Sequence, residues 1–215
     1  MCNDYRRTPP METIREQWSQ TRIPLVFPEG VPNLAPLESI RITDIGTIIR
    51  ASEGPPGSKS GPHESTTFMG EAELVNRRWS WPGPSGKPVY NYRSDGRDIR
   101  QGRCLIVADG FYEFTAPPPP PDGAPKPKRK DKWLFTKPDE DWFCIAGIWR
   151  STPDVGEAWT MLTCEPGPDI APYHHRQVVV LDRSDWGRWL DPSVPAQEIC
   201  RPLPAGSLQV EKVTA

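Results

Sequence analysis

The amino-acid sequence predicts an α+β protein built on a mixed or antiparallel sheet, with short helices at its periphery. Several short segments are rich in β-branched and aromatic residues and are bounded by Pro, Gly or Asp, a pattern typical of strands. Proline makes up 28 of the 215 residues, about 13%, against a usual share of ~5%. This proline content disfavours long helices. No internal repeat is found, so we expect one domain over residues 1–215.

Two short helices are predicted, one near each end of the chain. The first follows a pair of prolines and presents Met11, Ile14 and Trp18 on one apolar face, at positions i, i+3 and i+7. The second is expected to be capped by Ser184-Asp185, because short polar side chains favour the helix start. Its apolar residues are Trp186, Trp189 and Leu190.

Six strand segments are predicted from β-branched and aromatic content. Residues 40–50 contain five isoleucines and are expected to be extended, and residues 52–61 to form a flexible loop. The other predicted strands are residues 103–108, 132–136, 142–149, 159–164 and 177–181. Short connections between most of them favour neighbouring strands in one sheet.

A Pro/Lys-rich insertion at about residues 116–132 separates two of these strands. Five consecutive prolines favour polyproline II and cannot lie inside a sheet, so we expect the insertion to interrupt a hairpin. A tolerated loop is the preferred interpretation, and a weak phosphate-contacting arm is the alternative. A solvated basic tip is predicted from Lys126, Lys128, Arg129, Lys130 and Lys132.

Composition excludes several classes of protein. The formal net charge of −2 excludes a uniformly basic nucleic-acid coat and leaves a local basic groove open. No apolar run approaches the ~20 residues that span a bilayer, and the first residues do not resemble a signal peptide, so we expect a cytoplasmic protein. The five cysteines include no C-x-x-C pair, which argues against a disulfide framework and a Cys-rich zinc site.

Cys2 is the residue with the most distinctive chemistry. Methionine is normally excised before a small side chain, and removal of Met1 leaves a cysteine whose α-amine and thiol are both free. Their ordinary pKa values of about 8 and about 8.5 make both nucleophiles accessible near neutral pH. This 1,2-aminothiol attacks an acyl carbon through sulfur, or condenses with an aldehyde to close a thiazolidine ring. On position alone, the plainer explanation is that Cys2 merely follows the start codon.

Glu113 and the histidines are further candidates. Glu113 follows a strand and a glycine among aromatic residues, which would desolvate its carboxyl group and raise its pKa, whereas strand alternation alone would turn it outward. His174 and His175 point to opposite faces if extended, so at most one is expected in a given site. His63 stands alone in a loop, and no further ligands lie at metal spacing, so we expect no metal and no cofactor.

In order and character these segments resemble the SOS response-associated peptidase (SRAP) family, the abasic-site processing proteins. Residues 103–114, RCLIVADGFYEF, are nearly identical to the family's R-C-L-[VI]-P-A-D-G-[FW]-[YF]-E-W, and Cys2 stands where the family has its post-methionine cysteine. The other matching segments are residues 78–82 (RWSWP), 91–96 (NYRSDG), 146–149 (AGIW), 162–166 (LTCEP) and 174–181 (HHRQVVVL). The resemblance therefore covers nearly the whole chain.

The resemblance implies a barrel-like β-sheet core and a covalent reaction with DNA. Cys2 would capture the ring-opened aldehyde of an abasic site in single-stranded DNA as a thiazolidine, with Asn91 orienting the N-terminus and Glu113 transferring protons. His174 would protonate the sugar oxygen as the deoxyribose opens. Phosphate-binding and base-stacking residues are implied at Arg93, Arg176, Thr163, Trp79, Trp81 and Phe114.

The resemblance also implies a monomer that acts on nucleoid DNA without metal, cofactor or membrane. Removal of Met1 would account for the peptidase name, and the crosslink would be open to lyase-like reversal. One departure lies beside the nucleophile, because Asn3 and Asp4 follow Cys2 where the family usually has Gly and Arg. We expect Arg6 or Arg7 to compensate for this acid.

Two other functions stay open on the sequence. An N-terminal-cysteine thiol peptidase or amidohydrolase needs the same nucleophile and a base. A non-covalent single-stranded DNA-binding module would need only the groove, with Cys2 spare.

Overall fold

Strands are the predominant regular secondary structure of the described chain. The structure is a computed structural model and describes residues 2–52, 68, 70–119 and 129–213. In chain order its elements are β1 (Asp4–Arg7), α1 (Met11–Ser19), β2 (Leu25–Val26), β3 (Leu37–Arg41), β4 (Ile45–Ala51), β5 (Ala72–Trp79), β6 (Trp81–Pro82), β7 (Pro88–Val89), β8 (Asn91–Arg93), β9 (Arg103–Ala108), β10 (Gly110–Thr115), β11 (Asp131–Thr136), β12 (Phe143–Thr152), β13 (Gly156–Cys164), β14 (Gln177–Val178), β15 (Val180–Leu181), α2 (Arg183–Leu190), α3 (Ala196–Ile199) and β16 (Gln209–Val213).

Five strands close into a barrel. Antiparallel pairing runs β13–β12–β9–β4–β5, and β5 also pairs in parallel with β13, with Trp79 opposite Trp159. This last pairing closes the ring and removes two open sheet edges. All six residues of β9 are buried because both faces of this strand pack against apolar side chains. The predicted α+β class, with a barrel-like core and short helices, is confirmed.

A second sheet carries the N-terminal strand. Its strand order is β16–β11–β10–β1–β3, so β1 lies between β10 and β3. Tyr5 is opposite Phe111 and Asp4 is opposite Arg41. The buried ring of Tyr5 packs edge-on against Trp79 at 5.5 Å and against Trp159 at 5.9 Å. Tyr5 therefore joins this sheet to the parallel seam of the barrel.

Both predicted helices are present, but the predicted cap of the second is wrong. Met11, Ile14 and Trp18 are buried on α1, and Trp18 stacks on Trp186 of α2 at 5.7 Å. The N-cap of α2 is Asp182 in extended conformation, and Ser184-Asp185 lies inside the first turn. The helix starts early because β15 ends at Leu181, directly before this cap.

Two predicted strand segments are each divided in two. Residues 40–50 contribute to β3 and β4, with a turn at Thr43, whose φ is 83°. Residues 177–181 form β14, which pairs with β13, and β15, which pairs with β12. The split arises because β12 and β13 pair with each other only from Gly147 and Met161 outward, and β14 and β15 enter where the two strands separate.

The hairpin around the insertion is confirmed at its base, where Thr115 of β10 pairs with Asp131 of β11. Most of the insertion, including Lys126 and Lys128, lies outside the described residues, as do Met1, His63 and most of the predicted loop at residues 52–61. The solvated tip is wrong for Lys132, which lies on β11 and forms an ion pair with Asp4.

Candidate functional site

Cys2 is buried and lies two residues before β1. Its thiol donates a hydrogen bond to the Asp4 carbonyl at 3.2 Å. Burial raises the pKa of the thiol, and the negative charge of Glu113 raises it further. The antiparallel pairing of β1 with β10 explains why Cys2 and Glu113 are close. Because Tyr5 is opposite Phe111, the residues before Tyr5 run alongside the residues after Phe111.

Glu113 faces inward rather than outward. Glu113 lies on β10 and is only 1% exposed. Burial raises the pKa of the carboxyl group to about 7. A carboxyl group with this pKa both accepts and returns protons near neutral pH. Of the two interpretations of Glu113, the desolvated one is correct and outward alternation is wrong.

Asn91 reaches the same residue from the barrel. β8 pairs in parallel with β13, and Asn91 is opposite Met161. Its Nδ2 donates a hydrogen bond to the Cys2 carbonyl at 2.8 Å. Its Oδ1 is buried and has no hydrogen-bond partner among the residues that the structure describes. Asn91 thus fixes the backbone of the cysteine and presents an acceptor beside it.

His174 lies in a turn that packs over β11. The preceding Tyr173 contacts Trp133 at 4.9 Å, and Trp133 is the register partner of Glu113. His174 Nδ1 lies 3.0 Å from both the backbone N and the backbone O of Arg176, so it accepts from the N–H when neutral and donates to the carbonyl when protonated. Partial burial lowers the pKa of His174, and His175 acts in the same direction.

His174 and His175 were expected to face opposite sides if extended, and that condition is not met. Their rings stack with centroids 4.4 Å apart and an interplanar angle of 23°. Neither residue is in a strand, because the sheet pairing begins only at Gln177, so strand alternation does not apply.

The predicted phosphate-binding residues are in different environments. Arg93 is exposed and is opposite Thr163 in the pairing of β8 with β13. Arg176 is only 8% exposed, forms an ion pair with Asp95, and donates to the Thr163 carbonyl at 2.8 Å. Thr163 is buried. Arg93 is therefore accessible, whereas Arg176 and Thr163 already bind one another.

The predicted stacking aromatics divide in the same way. Trp79 is fully buried, lies parallel to Trp159 at 5.4 Å, and donates its indole N–H to the Tyr90 carbonyl. For Trp79 the packing interpretation is correct, because a buried ring offers no face to a base. Trp81 is also largely buried, with the Arg150 guanidinium 4.3 Å from its ring centroid. Phe114 is half-buried and lines a groove.

This groove opens beside the start of β1 and has a volume of about 970 Å³. Its lining carries more cations than acids, although the chain as a whole is slightly acidic. Arg41, Lys132 and Lys212 were not predicted to lie together, because they come from three strands that only tertiary structure brings side by side. The lining residues are Asn3, Asp4, Arg41, Phe114, Arg129, Lys130, Asp131, Lys132, Lys212 and Val213.

Neither Arg6 nor Arg7 compensates for Asp4. Arg6 forms an ion pair with Asp109 at 3.0 Å, and Arg7 donates to the Ala35 carbonyl at 2.9 Å. The cation that binds Asp4 is Lys132, whose Nζ is 2.8 Å from Oδ2. The negative charge of Asp4 is thus neutralised from β11, the strand that follows the insertion. The order of residues along the chain did not indicate this pairing.

Among the described residues, no group of three or more His, Cys, Asp or Glu side chains is arranged to hold a metal ion. Within the residues that the structure describes, no helix is long and apolar enough to cross a membrane.

The fold and the site together define a class of β-barrel protein. In this class a cysteine near the start of the chain is buried beside a carboxyl group on a strand. The family model for SOS response associated peptidase (SRAP) matches residues 88–215, and the chain belongs to this family. The matched segment contains Asn91, Glu113 and His174, and Cys2 lies before it.

The chain is 28% identical over 169 residues to the abasic site processing protein HMCES of Gallus gallus. This match covers 61% of the chain and 50% of that relative, so the chain spans about half of the relative's length.

Solved structures establish the same fold. A Bordetella bronchiseptica protein matches with a TM-score of 0.67 at 22% identity, over 100% of both chains. A Bacteroides thetaiotaomicron protein matches with a TM-score of 0.69 at 15% identity, over 99% of this chain and 92% of the other. A phage-related protein from Bordetella bronchiseptica matches with a TM-score of 0.67 at 17% identity, over 100% of this chain and 95% of the other.

Proposed function

We propose that this protein, after removal of Met1, captures the aldehyde of an abasic site in single-stranded DNA as a covalent thiazolidine at Cys2. The observation that carries the proposal is the convergence of two side chains on Cys2. Asn91 Nδ2 donates a hydrogen bond to the Cys2 carbonyl at 2.8 Å. The negative charge of the Glu113 carboxyl group raises the pKa of the Cys2 thiol. The name of the Gallus gallus relative supports an abasic-site substrate.

The reaction balances without a cofactor. The α-amine of Cys2 adds to the aldehyde carbon, and loss of one water gives a Schiff base. The thiol sulfur then adds to the same carbon, and its proton passes to the nitrogen as the ring closes. Glu113, with a pKa of about 7, accepts a proton from the amine and returns one to the departing hydroxyl. The product mass is therefore protein plus DNA minus one water.

Asn91 and His174 complete the proposed chemistry. The buried Oδ1 of Asn91 would accept a hydrogen bond from the new α-amine and aim its lone pair at the aldehyde. His174 would supply a proton to the sugar oxygen as the deoxyribose opens. Because burial lowers its pKa, this donation is favoured toward acidic pH.

The substrate strand would lie in the groove beside Cys2. Its cations would contact phosphates, and the half-buried ring of Phe114 would contact a base. Exposed Arg93 would contact the strand on the barrel side, and Trp81, Thr163 and Arg176 would support that contact surface. We propose that the chain acts on DNA as a monomer and a single domain.

Intact mass spectrometry tests the proposal directly. The purified protein is mixed with single-stranded DNA that carries one abasic site, and the mixture is denatured before weighing. We expect a species equal to protein without Met1 plus DNA minus one water. Cys2→Ala is expected to abolish this species, and Glu113→Gln to slow its formation about 100-fold.

Cys200→Ser is the matched control, since Cys200 is the more exposed of the cysteines that the structure describes, and we expect it to retain the adduct. DNA with a tetrahydrofuran abasic analogue, which has no aldehyde, controls for non-covalent binding. Absence of an adduct after confirmed removal of Met1 contradicts the proposal. Turnover of glutamine or a peptide would then indicate a hydrolase, and unchanged binding by Cys2→Ala a plain binding module.

A further inference from the structure

Asp4 brings a second acidic side chain close to the nucleophile. It lies two residues after Cys2 and is only 3% exposed. Its Oδ1 accepts a hydrogen bond from Ser39 Oγ at 2.7 Å, and its Oδ2 accepts one from Lys132 Nζ at 2.8 Å. Its own carbonyl receives the Cys2 thiol. A buried carboxylate at this position needs a cation, because the hydrogen bond from Ser39 leaves its negative charge without solvent or a counter-charge.

Lys132 is held by two strands that flank the site. Besides its ion pair with Asp4 on β1, its Nζ lies 3.6 Å from the centroid of the Tyr112 ring on β10. Tyr112 directly precedes Glu113, and its hydroxyl donates to the Glu38 carbonyl on β3. The ammonium group therefore has a defined position between the carboxylate and an aromatic face.

We infer that Lys132 is a positioning residue for Cys2, because it neutralises Asp4 and leaves Glu113 as the carboxylate that acts on the nucleophile. This inference rests on the proposed function. It would also account for an acid two residues after the proposed nucleophile. Lys132 acts through Asp4 and does not itself touch the reacting atoms.

The other charged groups around Asp4 do not replace Lys132. Arg41 on β3 is the register partner of Asp4, but its side chain is exposed and donates to Ser39. Asp131 on β11 is bound by Lys212 of β16 at 2.9 Å. Glu113 on β10 adds negative charge. Without Lys132, Cys2 would face two carboxylates, which favour the ammonium and neutral thiol forms over the nucleophilic ones.

The test is a four-variant cycle on the crosslinking rate, measured from about pH 6 to about pH 9. The variants are the wild-type protein, Lys132→Met, Asp4→Asn, and the double variant. We expect Lys132→Met to move the rising limb of the profile upward by about 0.5 to 1 pH unit. The double variant should return the limb to the wild-type position, because the uncompensated charge is gone.

A structural role alone would give a different result. Lys137→Met is the matched control, since Lys137 likewise forms an ion pair with an aspartate, Asp182, at 2.8 Å and lies away from this site. We expect it to lower thermal stability without moving the pH profile. No shift in Lys132→Met, or a shift that Asp4→Asn does not reverse, overturns the inference. If Lys132→Met does not fold, Lys132→Gln replaces it in the cycle.

A second readout separates this inference from the proposed function. Alkylation of Cys2 by iodoacetamide, followed on the N-terminal peptide, reports the thiol without DNA. We expect the same upward shift in Lys132→Met and the same rescue by Asp4→Asn. If the wild-type protein forms no DNA adduct but the alkylation profiles shift as expected, the proposed function fails and the positioning role stands. If both profiles coincide with wild type, the positioning role fails.

Discussion

Glu113 shows how one side chain combines a structural cost with a chemical use. Burial raises the pKa of its carboxyl group from 4.5 to about 7. The folded chain therefore keeps the proton to a higher pH than the unfolded chain does. Stability is therefore lost as the pH rises from about 4.5 to about 7. The same shift makes the group a proton carrier near neutral pH.

We predict that Glu113→Gln stabilises the fold above the pKa of the carboxyl group. Glutamine keeps the shape and carries no charge, so the expected gain in unfolding free energy is about 3 kcal/mol at about pH 8. At about pH 4 the two proteins should be nearly equal in stability, because the carboxyl group is then mostly protonated in both states. Urea unfolding at both pH values measures this, and an equal effect at both would contradict it.

Asn91 is expected to act through a single hydrogen bond. Removal of the amide in Asn91→Ala leaves the Cys2 carbonyl without its 2.8 Å donor. We predict that the crosslinking barrier rises by about 1 to 2 kcal/mol, which slows the reaction roughly tenfold. Asn76→Ala removes a comparable 2.8 Å bond, from Thr47, away from the site, and should leave the rate unchanged. Equal losses in both variants would point to stability alone.

At the scale of elements, β1 depends on its neighbours more than on its own sequence. Its residues are DYRR, which has little strand propensity, and only Tyr5 fits the apolar pattern. The strand forms because β10 and β3 pair with it on both sides and because Tyr5 enters the Trp79–Trp159 seam. The position of Cys2 is thus set by contacts with the barrel.

Gly46→Ala tests this dependence. A Cβ at Gly46 would collide with the Tyr5 hydroxyl and approach a Trp159 ring carbon to 2.7 Å. We predict a loss of about 2 kcal/mol in unfolding free energy, together with slower crosslinking, because β1 must move. Ile45→Ala on the same strand is the control, since Ile45 is 56% exposed and should cost little. Unchanged crosslinking in Gly46→Ala would separate β1 from the reactivity of Cys2.

The insertion is expected to be dispensable for folding. Because Thr115 and Asp131 already pair at the base of the β10–β11 hairpin, replacing residues 119–128 with a short Gly-rich turn should change stability by less than about 1 kcal/mol. Loss of single-stranded DNA affinity in this variant would support the phosphate-contacting arm, and unchanged affinity the tolerated loop. Thermal unfolding and fluorescence anisotropy measure the two effects.

At the scale of the whole molecule, local charge and net charge differ in sign. The chain carries −2 overall, while the groove at the start of β1 is lined by Arg41, Arg129, Lys130, Lys132 and Lys212 against Asp4 and Asp131. Such a distribution favours a phosphate backbone at one place on the surface. The expectation of a single domain stays a prediction.

Salt dependence measures this groove. We predict that the logarithm of the affinity for single-stranded DNA falls with log salt at a slope of roughly −2 to −3, as for three or four phosphate contacts. The double variant Arg41→Ser with Lys212→Ser should make the slope shallower by about 1. Arg100→Ser, an exposed arginine paired with Asp98, is the control. An identical slope in all three proteins would exclude the groove as the contact surface.

The sequence by itself determined the β-rich class, the two helices, strand β9 and the family, because these depend on local periodicity and on contiguous motifs such as residues 103–114. It also singled out Cys2, Asn91, Glu113 and His174, whose types and order suit the chemistry. Burial and pairing across the chain were not readable in the same way.

Tertiary structure decided the inward direction of Glu113, the stacking of His174 on His175, the burial of Trp79, and the partner of Asp4. Each of these depends on which distant strand lies alongside. Lys132 stands 128 positions from Asp4, and only the alignment of β11, β10 and β1 in one sheet brings their charges together. Long-range pairing has no local signal, since its energy comes from neighbours that the fold alone provides.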